Sequence, residues 1–220
     1  KGKAKLARPF GFFGGLIGGI LGVLTVTAQG GNGWLLAGAF AVAIPFIQAI
    51  GRLRCLVQGC CHGSECAPHK GIVVTREKSR VAYLAHLEHR PIYPTPLYSI
   101  VYNLVLGPLL FRAWTLGLPL PFVIGMYLIL GGMGRFVEES YRGVPHTQKF
   151  GGLIIYQWLA LLGIVAGAIL TTFQGPAYTN EIQFVPLAFL YAALFALLPA
   201  FALSMDFPES SRRFSRLAPP

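Results

Sequence analysis

Charged side chains are scarce in this chain. Asp, Glu, Lys and Arg make up only 12% of its 220 residues, whereas an average soluble domain carries about 25%. This shortage argues against a soluble globular protein. Apolar residues make up 54% of the sequence, which excludes a disordered chain. The composition therefore predicts an integral membrane protein.

Acidic residues are the scarcer of the two charge types. Eight Asp and Glu face eighteen Lys and Arg, which gives a formal net charge of +10. In a soluble chain this excess would suggest a nucleic-acid partner. In a membrane chain a positive excess helps to set the orientation of the spans and favours contact with anionic lipid headgroups. We therefore expect a membrane partner and no nucleic acid.

Apolar runs divide the chain into candidate membrane spans. We predict an all-α polytopic membrane protein with about six transmembrane helices, forming a single membrane domain over 1-220 with one larger polar loop region at 51-95. Because the chain begins at Lys1 without an initiator Met, we expect it to be the C-terminal part of a longer one. The predicted spans cover about 10-28, 34-50, 96-111, 121-133, 153-173 and 185-205.

Two local patterns predict further structure. Glycines recur three and four residues apart in the first span, a spacing that favours close approach of another helix; they are Gly14, Gly15, Gly18, Gly19 and Gly22. Within the large loop, residues 72-74 predict a short strand and 81-89 a short amphipathic helix.

Charged residues follow the second and fourth spans. Arg52 stands just after the second span. Arg135, Glu139 and Arg142 follow the fourth at intervals of four and three residues, which predicts one shared helical face. Guanidiniums are well suited to bind a phosphate diester. The alternatives are interfacial snorkelling for Arg52 and an intrahelical salt-bridge ladder for the other three.

All four cysteines fall in the large loop region: Cys55, Cys60, Cys61 and Cys66. Their spacing is a poor match to the paired cysteines of zinc sites, so they are weak metal candidates. A disulfide and free structural thiols are the other two possibilities. Because Cys60 and Cys61 are adjacent, we expect at most one of them to join a shared site without strain.

Five short segments match the motifs of one known family. They are 13-18 (FGGLIG), 51-63 (GRLRCLVQGCCHG), 93-98 (YPTPLY), 135-142 (RFVEESYR) and 157-159 (QWL). In this order they resemble segments of the prolipoprotein diacylglyceryl transferases of bacterial inner membranes. The resemblance extends from about residue 13 to residue 170.

The resemblance implies a multi-pass protein of the bacterial inner membrane that needs no cofactor. It implies transfer of the diacylglyceryl group of phosphatidylglycerol to a cysteine thiol of a lipoprotein precursor. Arg52 and Arg135 would hold the phosphate as catalytic residues, with Glu139 orienting an arginine. The lipid- or phosphate-binding residues would be Gly14, Gly15, Gln58, Gly63, Tyr98 and Arg142.

Several positions depart from the family pattern. Phe13 replaces the motif His that is the proposed base, and Cys55 and Cys60 replace Asn and Glu of the signature. Tyr93 and Pro96 replace His and Gln of the third motif. These departures leave two alternatives: a non-catalytic membrane subunit that binds lipid or a partner complex, and a cysteine-based metal or redox membrane protein.

The basic residues and the resemblance predict opposite orientations. With six spans, seventeen of the eighteen basic residues lie on one side of the membrane, and only Arg112 lies on the other. The positive-inside rule makes that side cytoplasmic. The resembled family places its arginine motifs on the outer face.

Overall fold

The protein is mostly α-helical. The computed structural model describes residues 12-75, 79-143, 149-177 and 185-203. Within them lie seven α-helices: α1 (Phe12–Ala28), α2 (Gly33–Gln58), α3 (Arg80–Ala85), α4 (Thr95–Thr115), α5 (Leu120–Ser140), α6 (Ile155–Thr171) and α7 (Pro186–Leu203). Four two-residue strands accompany them: β1 (Ile72–Val73), β2 (Pro91–Ile92), β3 (Lys149–Phe150) and β4 (Leu153–Ile154).

Three of these helices are long and apolar enough to cross a membrane. They are Gly33–Leu56 within α2, with 24 residues, and α4 and α5, with 21 residues each, where about 20 are needed. Shorter apolar helices occur in α1, α6 and α7. These features confirm an all-α polytopic membrane protein. Each predicted apolar run overlaps one of the six apolar helices, and the number that cross the membrane stays a prediction.

Small residues let the central helices approach closely. A Cβ added to Gly125 of α5 would lie 2.7 Å from the Gly167 carbonyl oxygen of α6. A Cβ on Gly107 of α4 would lie 2.7 Å from the ring of Phe46 on α2. Such contacts are the usual basis of helix association in lipid, where packing replaces the hydrophobic effect. They join α5 to α6 and α4 to α2, and packing of α2 and α4 on α5 brings the four helices together.

Some apolar side chains are buried between the helices, and others are exposed on the surface of the protein. Leu110 and Val123 are fully buried between helices. Ile47, Val105 and Leu162 are each more than 60% exposed, as expected of residues that face lipid rather than water.

The polar loop region is a small folded unit over the helix ends. β1 pairs antiparallel with β2, with Ile72 opposite Ile92. The Ser79 hydroxyl accepts a hydrogen bond of 3.2 Å from the Ala82 amide and so caps α3. The predicted helix over 81-89 is shorter than expected because His86 adopts a left-handed backbone with φ of 55° and ends α3.

Three helices, α2, α4 and α5, continue beyond the predicted apolar runs. α2 extends to Gln58, so Arg52 and Cys55 lie on the helix and not in the loop after it. α5 extends to Ser140 and carries Arg135 and Glu139. Hydropathy falls at these charged turns, but the carboxylate and guanidinium groups pair with one another, which permits the helix to continue.

The glycines of α1 have no close neighbour in the described part of the chain. A Cβ added to Gly15, Gly18, Gly19 or Gly22 would meet no atom within 4 Å. The close helix approach that this stripe permits is therefore not made by any described residue. α1 meets α2 near the turn between them, where Gly33 lies beside Thr27, and the glycines precede this contact.

Candidate active site

Arg52 is the first member of a charged cluster formed where the ends of α2 and α5 meet. Its Nη2 atom lies 2.7 Å from Oε1 of Glu138 on α5. Its Nε donates a hydrogen bond of 3.1 Å to the Ser99 hydroxyl of α4. The Arg52 side chain is 17% exposed. Three helices thus fix the position of one guanidinium.

Glu139 joins two further arginines. Its Oε1 atom lies 2.5 Å from Nη2 of Arg135 and 2.6 Å from Nη1 of Arg142. Arg135 also reaches Glu138, with 3.1 Å between Nη1 and Oε2. We call these five residues the arginine-glutamate cluster: Arg52, Arg135, Glu138, Glu139 and Arg142.

The cluster is buried and carries one more positive than negative charge. Glu138 and Glu139 are only 6% and 2% exposed, so each carboxylate depends on the guanidiniums beside it. The Arg142 Nε atom is buried and has no hydrogen-bond partner among the described residues. An unpaired buried donor is costly, and an anionic ligand would satisfy it.

Arg142 lies just beyond the helix, contrary to the prediction that it shares the α5 face. α5 ends at Ser140, and Tyr141 is its C-cap. Arg142 instead forms an antiparallel bridge with Gly63 of the polar loop. Its side chain still reaches back to Glu139. The polar loop therefore holds one wall of the cluster in place.

The other predicted site residues lie in four different places. Gly63 lies against the cluster through its bridge with Arg142. Tyr98 of α4 packs its ring edge-on against Tyr141, with 6.0 Å between ring centroids. Gly14 and Gly15 lie on α1, and a Cβ added to Gly15 would meet no atom within 4 Å in the described part of the structure. Gln58 is the last residue of α2, and its side chain lies outside the described residues.

Two site residues were not predicted from the sequence. Glu138 contacts Arg52 and Arg135, and Ser99 orients Arg52. The adjacent pair Glu138 and Glu139 was a usable signal: consecutive helical positions point in different directions, so a doublet offers one carboxylate to each neighbouring arginine group. Ser99 carries no such signal.

Three cysteine sulfurs come together beside the cluster. The Sγ atoms of Cys55, Cys60 and Cys61 lie within 4.8 Å of one another. Both adjacent cysteines, Cys60 and Cys61, therefore join one group. We expected this only with backbone strain, and Cys61 does take a left-handed backbone with φ of 58°. None of the four cysteines forms a disulfide in the described structure, and Cys66 is not part of the group.

Contacts from α4 and from the residues after α5 position the loop that carries Cys60 and Cys61. The Thr95 hydroxyl of α4 donates a hydrogen bond of 2.6 Å to the Cys61 carbonyl oxygen. The amide of Gly143, which follows α5, donates one of 3.3 Å to the carbonyl oxygen of His62. Thr95 and Ser99 are one helical turn apart on α4, so the same face of α4 holds both the cysteine loop and Arg52.

The electrostatic properties of the loop reflect this proximity. Hydrogen bonds from the Cys55 and Cys60 thiols lower the pKa of Cys61, and the charges of Arg142 and Arg52 act in the same direction against the effect of burial. The pKa of Cys60 is raised, first by its hydrogen bond with Cys55. Burial lowers the pKa of Arg142, but Cys61 and Glu139 outweigh it, so that pKa is raised overall.

Fold and site together define a class: an α-helical membrane protein with a buried arginine-glutamate cluster where its helices end. The chain belongs to the prolipoprotein diacylglyceryl transferase family, because the model of that family matches residues 8–173. This confirms the family expected from the motifs.

Several curated relatives are named as phosphatidylglycerol-prolipoprotein diacylglyceryl transferases. The chain is 27% identical over 164 residues to phosphatidylglycerol-prolipoprotein diacylglyceryl transferase 2 of Clostridium perfringens (strain 13 / Type A), covering 73% of this chain and 60% of the relative. It is 31% identical over 170 residues to the phosphatidylglycerol-prolipoprotein diacylglyceryl transferase of Leifsonia xyli subsp. xyli, covering 76% of this chain and 51% of the relative. The Clostridium tetani enzyme is 26% identical over 165 residues, covering 74% and 63%. The chain thus spans between half and two thirds of the length of these relatives.

Proposed function

We propose that this protein transfers the diacylglyceryl group of phosphatidylglycerol to a cysteine thiol of a prolipoprotein. In this reaction the carbon-oxygen bond between the glyceryl group and the phosphate breaks. A carbon-sulfur bond forms, and glycerol phosphate leaves with the electron pair of the broken bond. Family membership and the names of the relatives support the proposal.

The arginine-glutamate cluster is the observation that carries the proposal. A phosphate diester has one negative charge, which matches the one surplus positive charge of the cluster. Arg52 and Arg135 would hold the phosphate, and the unpaired Nε of Arg142 offers a further buried donor. Glu139 contacts both Arg135 and Arg142, which suits it to orient them.

These guanidiniums would also speed the reaction. As the carbon-oxygen bond breaks, negative charge grows on the departing phosphate. Positive groups already held in place by Glu138, Glu139 and Ser99 do not need to reorganise when this happens. Stabilisation of this kind acts more strongly on the transition state than on the bound lipid.

Other residues would shape the lipid site. Gly63 brings the polar loop against Arg142, and Tyr98 with Tyr141 forms an aromatic edge beside it. Gly14 and Gly15 of α1 would let a lipid approach the backbone, and the open space around Gly15 allows this. Gln58 completes the proposed set through its place in the signature segment.

We also infer a multi-pass protein of the bacterial inner membrane with its arginine-glutamate cluster toward the outer face. Six apolar helices support the multi-pass arrangement. The family orientation supports the outer face, although the distribution of basic residues argues for the opposite.

A non-catalytic lipid-binding subunit is the second candidate. Phe13 favours it, because an aromatic hydrocarbon ring cannot accept the proton that the motif His would take. Such a subunit would keep the arginine-glutamate cluster and bind phosphatidylglycerol without turnover.

One assay separates the two functions. The purified protein would be incubated with labelled phosphatidylglycerol and a lipobox peptide, and release of glycerol phosphate would be measured. We expect release that is abolished by Arg52→Ala and by Arg135→Ala. Arg90→Ala is the matched control, because Arg90 forms an exposed ion pair with Glu65 away from the cluster. Lipid binding without release would establish the subunit instead.

A further inference from the structure

The three clustered thiols have no role in the proposed phosphate chemistry. We call Cys55, Cys60 and Cys61 the thiol trio. Cys55 comes from α2, and the other two come from the loop that follows it. The left-handed backbone of Cys61 brings its sulfur to the other two. The positive φ of Cys61 is unfavourable for a cysteine, and this strained backbone stands at the point where three sulfur ligands come together.

The spacing of the sulfurs suits a zinc ion. Zinc-sulfur bonds of about 2.3 Å in tetrahedral geometry place the sulfurs about 3.8 Å apart. The three Sγ atoms already lie within 4.8 Å of one another, so small side-chain rotations bring them to a common ion. Thiolates are also the ligands that select zinc or monovalent copper over harder cations.

The number of ligands indicates an open site. Structural zinc sites are closed by four protein ligands, whereas catalytic sites have three and leave the fourth position to water or substrate. Among the described residues, the group that could hold a metal contains the trio alone. His62 turns Nδ1 to the Gly63 carbonyl oxygen, at 2.9 Å, and Cys66 lies outside the group. A fourth position is therefore left for an external ligand.

The trio adjoins the groups that would hold the phosphate. Arg52 and Cys55 are three residues apart on α2, which places them on one face of the helix. α4 binds the Cys61 carbonyl through Thr95 and the Arg52 guanidinium through Ser99. A ligand on the open position of a trio-bound ion would thus stand near a lipid phosphate held by the arginines.

We propose that the thiol trio binds Zn²⁺ and that the open position takes the acceptor cysteine thiol as a thiolate. This inference rests on the proposed function. A bound zinc ion would take the place of the base that Phe13 cannot provide, because a thiol that binds zinc is deprotonated without a nearby base. The thiol proton passes to water as zinc binds the sulfur. The sulfur then attacks the glyceryl carbon, and the electron pair of the carbon-oxygen bond leaves with the phosphate.

Metal content tests the site directly. The full chain would be purified in detergent under reducing conditions, and zinc would be measured by mass spectrometry. We expect about one zinc ion per chain in the wild type and in the matched control Cys66→Ser. Cys55→Ser, Cys60→Ser and Cys61→Ser should each lose it. Equal zinc content in the trio variants and the wild type, or copper in place of zinc, would overturn the proposal.

Cobalt substitution controls for misfolding and tests the open position. Wild-type protein stripped with a chelator and reloaded with Co²⁺ should show thiolate-to-cobalt charge-transfer absorption. A lipobox peptide with cysteine should change this spectrum, and the same peptide with serine should not. Absence of the charge-transfer band, or an identical response to both peptides, would refute the role in thiol binding.

Transfer assays separate this inference from the proposed function. If zinc-free protein transfers at the full rate, the role of zinc fails and the transferase function stands. If zinc binds and the cysteine peptide changes the cobalt spectrum, yet no transfer occurs, the site stands and the proposed function fails. We expect zinc removal to reduce transfer at least tenfold and zinc addition to restore it.

Discussion

Arg52 and Glu138 are 86 residues apart in the sequence, and their side chains form an ion pair of 2.7 Å between α2 and α5. This contact fixes the end of one long membrane helix against another. The same carboxylate reaches Arg135, so Glu138 links the two arginines proposed to hold the phosphate. The ion pair thus couples helix packing to the geometry of the site.

Glu138→Gln should destabilise the protein strongly. The substitution keeps the side-chain size but leaves Arg52 and Arg135 without the carboxylate they share. Removing one partner of a buried ion pair costs about 3 to 5 kcal/mol. A thermal unfolding scan in detergent would show this as a clearly lowered midpoint.

Glu65→Gln is the matched control for this prediction. Glu65 pairs with Arg90 where both side chains are more than half exposed, and exposed pairs contribute at most about 1 kcal/mol. Equal shifts in the two variants would mean that the buried ion pair does not stabilise the helix contact.

Arg142→Lys should weaken phosphatidylglycerol turnover while keeping the charge. Lysine has no counterpart of the buried Nε donor that lacks a partner in the described structure. A hydrogen bond to a charged group contributes about 1.5 to 3 kcal/mol, so we expect kcat/KM to fall about 10- to 100-fold. Arg90→Lys should have no such effect in the same steady-state assay, and an unchanged kcat/KM for Arg142→Lys would remove Arg142 from the phosphate site.

Parts of this arrangement follow from the sequence and parts do not. The contact of Arg135 with Glu139 follows from their spacing of four residues on a helix. The contact of Arg52 with Glu138 does not, because it depends on how α2 packs against α5. The same holds for Cys60 and Cys61, which share one group only because Cys61 adopts a positive φ.

Helix positions were easier to predict than helix ends. Apolar runs located α6 closely, since residues 153-173 contain Ile155–Thr171. They missed the last turns of α2 and α5 because hydropathy reports single residues, whereas Arg52, Arg135 and Glu139 are tolerated there as pairs. A hydropathy profile therefore does not detect charged residues that are stabilised by pairing, whether the partner is on the same helix or on another.

Gly125→Leu should disrupt the contact between α5 and α6. A Cβ at this position would lie 2.7 Å from the Gly167 carbonyl oxygen and 3.1 Å from the Thr171 amide nitrogen. Backbone atoms cannot move aside as a side chain can, so we expect the free energy of unfolding to fall by about 1 to 3 kcal/mol or more. Gly18→Leu on α1 is the control, since no atom lies within 4 Å of its added Cβ. Thermal unfolding of both variants would test the difference, and equal midpoints would show that the close approach is not needed.

Cysteine labelling in intact cells should place the β3 strand on the outer face. In a chain with its native cysteines replaced by serine, Lys149→Cys presents a thiol at an exposed position in the second charged loop. Leu116→Cys presents one in the exposed turn between α4 and α5, at the opposite end of α5. We expect a membrane-impermeant thiol reagent to label the first before lysis and the second only after it. The reverse pattern would mean that the basic residues set the orientation by the positive-inside rule. It would also place the arginine-glutamate cluster on the cytoplasmic side, where a transferase acting at the outer face could not use it.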